Sequence, residues 1–444
     1  MGRDVLRLHA QQMPDDLGHV PGRGPVEELC RRSFPHPVIV LRRLPGSVGT
    51  RRYRGRVTDF SLARVRGLVL SRQGLTGPRL GSVGEATSAA VGVFGSAPTC
   101  YLSYAARVAG FRLEDLDREL YGKRSLVRVR SMHEMAFVLP VEDLPVILSA
   151  TNAGDGRAEA RILKAMGIDG PLYEHWSARV LEVLAGVPTA SVTELRGHLG
   201  ADAPKYLNYV VALMGRQCRV VRAEVRGGWR SDSYSYAAWP SWTGAALAAC
   251  DPAEARAELA RRYLWSFGPA TAADLKWWAG WTVRDTRAAL AALDVTEITV
   301  ADVPALVLTE DLDALAAAAP PKGVRLLPYW DALMMGYERL ARAPRLVDAA
   351  DHPRVYDKSG NGTSAVLVDG RAAGVWEFEH VKDALTVRVA PFGEPSRRAE
   401  IEAEAVLLAE ATGSTDLTLE FTGPPGLLAD GARNAFMAPI RLGA

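Results

Sequence analysis

PTASVTELRGHLGADAPKYLNYVVALMGRQCRVVRAEVRGGWRSDSYSYAAW, residues 188–239, changes its hydrophobic period partway along. Ser191 or Thr193 supplies a side-chain oxygen to cap a helix, and the segment through Leu195 and Leu199 has the spacing to form one. A second helix is expected from near Ala203 and Pro204, because Tyr206, Val210, Leu213 and Met214 share one face. From Cys218 to Val225 the period becomes two. Gly227 and Gly228 then turn the chain, and residues 230–239 alternate again, which predicts a β-hairpin. Two helices followed by a hairpin is the order of a winged helix.

The same plan recurs on both sides. Downstream, Gly268-Pro269 breaks the chain, and Thr271 with Asp274 makes a capping-box start. Helices over 275–278 and 283–293 and strands over 297–300 and 305–308 follow. Upstream, residues 60–150 read as helices near 62–71, 83–93 and 113–121 and a hairpin, 126–130 with 136–139. After Pro320-Pro321 the chain turns to strands at 364–368, 373–378, 385–389 and 417–421, with one helix over 395–408. The fold class is therefore α+β: winged-helix units at 57–150, 151–250 and 251–323, followed by a C-terminal β-barrel-like domain at 324–444. Residues 1–56, rich in Pro, Gly and Arg and without sustained period, are expected to be a disordered tail or an over-extended gene start.

Composition narrows the classes. No apolar run reaches eighteen residues, so no membrane helix is expected, and the N-terminus lacks a signal-peptide pattern. The cysteines Cys30, Cys100, Cys218 and Cys250 are far apart without a CxxC pair, and the histidines have no ligand spacing. A reduced, cytoplasmic, metal-free and cofactor-free monomer is the expectation. The arginine and alanine bias suggests a GC-rich genome. Net charge is +2, unevenly spread: residues 1–56 hold eleven arginines against five acids, leaving the remainder about −4. Any grip on nucleic acid must come from local clusters rather than a uniformly basic surface.

Several phrases carry a specific resemblance: LSRQGL (70–75), YLSYAARVAGF (101–111), DLDRELYGKRSLVRVRSMHEMAFVLPVEDLP (115–145), GGWRSDSYSYAAW (227–239), RRYLWSFGPATAADLKWWAGW (261–281), RLLPYWDALMMGY (325–337) and VLVDGRAAGVWEF (366–378). In this order they resemble the AlkZ/YcaQ winged-helix DNA glycosylases. The resemblance implies a DNA-binding face formed by winged helices and closed by a β-barrel. It also implies double-stranded, alkylated DNA as partner and removal of bulky N7-alkylated purines or crosslinks, in repair or genotoxin self-resistance. The family's chemistry depends on a Gln-x-Gln or Gln-x-Asp motif. The matching stretch here is VGVFGSAP (91–98), with Phe94 and Ser96 at the two polar positions, or Val93 and Gly95 in the gap-free alternative. Neither alignment restores a glutamine. Phenylalanine can stack on a base but cannot hold water, and serine offers one uncharged hydroxyl. Three readings stay open: a glycosylase with a rearranged site, a non-catalytic winged-helix DNA binder or regulator, and a family member repurposed for a small aromatic ligand.

Other candidates follow from the residues themselves. At the hairpin tip, Glu134 has the chemistry to position water and His133 to contact phosphate or exchange protons; a solvated turn is the plain alternative. Lys123, Arg124, Arg128 and Arg130 form a local basic patch for phosphates. In the wing of 188–239, Arg222, Arg226, Trp229 and Arg230 interleave charge with an aromatic ring, a backbone-plus-stacking surface or simply a packed wing. Lys205 and Asn208 lie where a recognition helix would meet a groove. Trp277, Trp278 and Trp281 read as core, as does the spacing of Asp331, Met334 and Tyr337, which fits one buried helix face.

Overall fold

The structure is a computed structural model that describes residues 59–426, apart from 152–156, 166, 245–246, 249, 396 and 424–425. The expectations for residues 1–56 lie outside the described residues. The fold is α+β: helices and four separate sheets, three of them three-stranded.

The decisive stretch forms as read. Ser191 caps the helix Val192–Leu199, its hydroxyl accepting from the Glu194 N–H while the Glu194 carboxylate accepts from the Ser191 N–H. The next helix, Leu207–Arg216, buries Leu207, Val210, Val211, Leu213 and Met214. Strands Val220–Arg226 and Ser233–Ala238 make the hairpin, and the short strand Ala190–Ser191 pairs with the outer side of Ser233–Ala238.

The upstream unit repeats this strand order, and the downstream unit repeats the hairpin with its edge strand on the other side. In the upstream unit, Val93–Phe94 lies beside Ala136–Pro140, which pairs with Leu126–Arg130. In the downstream unit, helices Ala272–Ala279 and Val283–Ala291 lead into the hairpin Val295–Val300/Val303–Leu308. Its edge partner is Asp59–Phe60, running parallel, so the first described residues complete the downstream sheet.

Three expectations change. The helix read at 83–93 stops at Ala89, because Val91 and Gly92 take left-handed backbone (φ 53° and 97°) and the chain turns into a strand. A Cβ on Gly92 would lie 2.6 Å from a Leu139 methyl, so glycine fits both the angle and the space. Asp331, Met334 and Tyr337 are buried as expected, but in successive turns rather than on a helix. The barrel-like C-terminal domain is an open five-stranded sheet in sequential order: Val324–Leu327, Ala365–Val368, Arg371–Val381, Ala384–Pro391, Asp416–Phe421. The helix Arg398–Thr412 crosses over to deliver the last strand parallel to its neighbour, and it covers the apolar face. Ile401, Ala405 and Leu408 pack with Trp376, Phe378 and Val387 there. A sheet whose apolar face is already covered by a helix gains nothing from closure.

At the centre lies a buried polar joint. Arg107, on the helix Thr99–Arg107, makes a two-pronged pair with Asp331 at 2.6 and 2.7 Å, both side chains fully buried. Ser103 donates to the same carboxylate at 3.0 Å, and Arg107 also donates to Gln73, whose amide donates to Ser266. Four distant segments meet there.

Candidate functional site at the motif turn

The motif stretch forms the edge strand Val93–Phe94 and the turn that enters the helix Thr99–Arg107. Gly95 donates to the Ala136 carbonyl at 2.7 Å, and a Cβ there would sit 3.2 Å from that carbonyl, tight enough that a side chain would have to push the strand back by a few tenths of an ångström. Phe94 is 7% exposed, wedged against Phe137 and, at 4.8 Å between ring centres, against Trp330. The apolar space around Phe94 is therefore filled from within the chain. Ser96, two residues on, is half-buried.

A carboxylate from another unit reaches this turn. Asp232, at the end of the 227–232 wing loop, is exposed, and its Oδ1 accepts from the Ala97 N–H at 3.0 Å and from the Tyr234 hydroxyl at 2.8 Å. Among the described residues its Oδ2 has no hydrogen-bond partner. The loop is pinned on its other side to the C-terminal sheet. Trp229 stacks on Phe378 at 5.8 Å and lies edge-on to Tyr101, while Arg230 donates to the His380 carbonyl at 2.7 Å. The wing thus bridges the motif turn and the last sheet, and Trp229 and Arg230 supply the anchor.

Guanidinium groups gather beside it. Arg222 lies over the Tyr234 ring at 4.8 Å and has no carboxylate partner among the described residues. Arg130, half-buried, is pushed below the usual arginine range by burial and by the like charge of Arg222, and Arg216 likewise by burial and Arg130. Arg216 is offset by Glu159 at 3.0 Å. An arginine with no acidic partner, as Arg222 is among the described residues, is where an added anion is favoured.

Arg128, 3% exposed, faces inward: its Nε donates to the Gly95 carbonyl at 3.1 Å, Nη1 donates to the Tyr121 hydroxyl, and the group lies 5.6–5.8 Å from the ring centres of Tyr101, Tyr121 and Tyr234. It holds the motif turn and the wing together from beneath. Arg128 and Arg130 lie two apart on one strand, but only Arg130 reaches toward solvent, so Arg128 drops out of the phosphate-facing patch. Arg226 pairs with Glu194 at 3.0 Å. Lys123 is exposed and paired with Glu119, and Arg124 is exposed with its guanidinium 3.9 Å above the Trp242 ring. Lys205 and Asn208 are exposed around the start of the helix Leu207–Arg216.

The 131–135 hairpin tip turns toward the downstream unit. His133 has left-handed backbone (φ 50°), its ring centre is 5.2 Å from Trp277, and Nε2 meets the Trp277 carbonyl. A carbonyl only accepts, so Nε2 carries the hydrogen. Loss of hydration, with the nearby charge of Arg342, moves this imidazole below its usual range. The Glu134 side chain lies outside the described residues. The structure therefore gathers Phe94, Ser96, Arg128, Arg130 and the wing in one place, and sets His133 against Trp277.

Sequence reasoning missed Asp232 and Tyr234. They lie in GGWRSDSYSYAAW, a phrase read there for its basic and aromatic residues. The available signal was an acid following Trp-Arg in a loop that otherwise reads as a phosphate-facing wing. Among the described residues no three His, Cys, Asp or Glu side chains converge as a metal site, and no helix is long and apolar enough to cross a membrane.

Repeated helix–helix–hairpin units with a carboxylate and clustered guanidiniums around one turn define the class: a modular α+β protein with a polar site formed between units. Residues 86–411 match the family model described as DNA glycosylase AlkZ-like. The chain belongs to the AlkZ-like DNA glycosylase family. It is similar to an interstrand DNA cross-link repair glycosylase of Streptomyces sahachiroi, 32% identical over 173 residues, 38% of this chain and 45% of that protein. The match thus spans less than half of that curated relative. The fold resembles the solved structure of Streptomyces sahachiroi DNA glycosylase AlkZ, with a TM-score of 0.67 and 24% identity, covering 82% of this chain and 100% of that one.

Proposed function

We propose that this chain binds double-stranded DNA carrying a bulky N7-alkylated purine or crosslink and hydrolyses the glycosidic bond of the damaged base, in repair or genotoxin self-resistance. The observation that carries the reading is Arg222 beside the motif turn, over the Tyr234 ring and without a carboxylate partner among the described residues. Family membership supplies the reaction class. In this reading the units at 57–150, 151–250 and 251–323 are winged helices and 324–444 is the C-terminal β domain. Lys123, Arg124, Arg130, Lys205, Asn208 and Arg222 meet the DNA, mostly through phosphates, while Arg128, Arg226, Trp229 and Arg230 shape the wing that presents them.

The test is binding of the full chain to a duplex bearing a single N7-alkylguanine and to the same duplex unmodified, across a salt series, with abasic product scored in parallel. Tighter binding of the alkylated duplex, affinity falling steeply with salt, and abasic product from that duplex alone are expected. Affinity indifferent to salt and lesion would sink the reading.

One observation favours a second reading, that of a non-catalytic DNA binder. Phe94, at a motif position, is buried against Phe137 and Trp330 and offers no polar atom to the reacting sugar. That reading expects the same lesion preference and salt dependence without abasic product.

A further inference from the structure

We propose that Asp232 is the catalytic carboxylate of this site, taking the part of the amides that the motif lacks. The proposal rests on the glycosylase reading above and adds the group that performs the reaction.

Position is the first ground. Asp232 Oδ1 is 3.0 Å from the N–H of Ala97, the residue after Ser96, so a carboxylate lies at the motif turn although none is encoded there. Orientation is the second. Two donors, the Ala97 N–H and the Tyr234 hydroxyl, fix Oδ1, whereas Oδ2 has no partner among the described residues and the residue is exposed. A carboxylate held by one oxygen and open at the other is ready to accept a hydrogen bond from water. Rigidity is the third: Trp229 on Phe378 and Arg230 on the His380 carbonyl fasten the same loop three and two residues earlier, so the charge need not be organised during the reaction. Two acids of the described residues near this turn are engaged elsewhere. Asp117 accepts from the Tyr101 hydroxyl at 2.6 Å, and Asp331 is fully buried against Arg107.

The chemistry follows from charge. An N7-alkylated purine is cationic, and its glycosidic bond breaks with the electron pair leaving on the base, which departs neutral as positive charge grows on the sugar. Asp232 faces that charge and accepts a hydrogen bond from a water molecule, with Ser96 as a second polar contact. The water oxygen bonds to C1′, and its proton passes to the Asp232 carboxylate and then to solvent. Water is the only co-reactant, and the products are an abasic sugar, the neutral alkylpurine and a proton. Arg222, over the Tyr234 ring, holds a flanking phosphate, with Arg130 beside it.

Asp232→Asn is the direct test, because asparagine keeps an acceptor oxygen for Ala97 and Tyr234 and loses only the charge. Full-length protein is mixed in excess with a duplex bearing one N7-alkylguanine, and the single-turnover rate of abasic-site formation is read alongside the dissociation constant and the melting temperature. A fall of about 100-fold or more in rate, with affinity changed less than about threefold and melting unaltered, is expected. Should the Asn protein melt early, Asp232→Ser is judged by the same criteria. A variant that cleaves within about threefold of the native rate overturns the assignment of Asp232 while leaving the glycosylase reading intact. Native protein that binds the alkylated duplex yet releases no base overturns that reading and this proposal together.

Discussion

Arg107 with Asp331, and Arg222 near Asp232, are two arginine–aspartate settings with opposite physics. The first is sealed: both side chains are fully buried, both carboxylate oxygens accept, and Ser103 and Gln73 complete the network. The second is open: Asp232 is exposed with one oxygen unpartnered among the described residues, and Arg222 leans on a tyrosine ring instead of an acid. A sealed pair positions segments and offers nothing to a ligand. An open one costs little stability and keeps its charges for whatever binds.

The largest expected contrast is in stability. Asp331→Ala strands the Arg107 guanidinium in the core and should cost about 3–5 kcal/mol in urea unfolding, whereas Asp232→Asn should change stability by less than about 1 kcal/mol. Equal costs would erase the distinction between the two settings. Next comes the motif itself. Phe94→Gln places a carboxamide between Phe137 and Trp330 and should cost about 1–3 kcal/mol, while Ser96→Gln, at the half-buried position, should leave stability within about 0.5 kcal/mol. Of the two, only Ser96→Gln is expected to raise abasic-site formation. Smaller still, Arg222→Gln should reduce the slope of log affinity against log salt by about one, because it removes about one phosphate contact, whereas Arg226→Gln, already paired with Glu194, should move it less.

The smallest effect concerns pH. His133, His352 and His380 all lie below the usual imidazole range, first through lost hydration and then through nearby arginines. The folded protein therefore binds fewer protons than the unfolded chain as pH approaches about 6.5. Stability is fullest above that value and declines on acidification from about pH 7.5 to about pH 6. Urea midpoints across that window check the sign, and His133→Gln should flatten part of the decline.

The local pattern was legible wherever it was dense. The Ser191 cap, the periodic face of Leu207–Arg216, the Thr271–Asp274 box and each of the three hairpins were written in neighbouring residues. The long helix Pro252–Phe267 and the helix Thr99–Arg107 escaped, because they are apolar on several sides and lack a single stripe. The open C-terminal sheet was misread as barrel-like, since strand count carries no information about whether the edges meet. At the site, Phe94 and Ser96 could be placed by motif, but Asp232 is separated from Ser96 by 136 positions in sequence and joined to its turn by one hydrogen bond. No local period encodes such a contact.

Catalysis at this site rests on a carboxylate facing a developing sugar cation. The most direct measurement compares the affinity of the full chain for two duplexes that differ in one residue, a cationic pyrrolidine in place of the deoxyribose or a neutral tetrahydrofuran. At least about tenfold preference for the cationic duplex, lost in Asp232→Asn, is expected. Equal affinity of the native protein for both would contradict it.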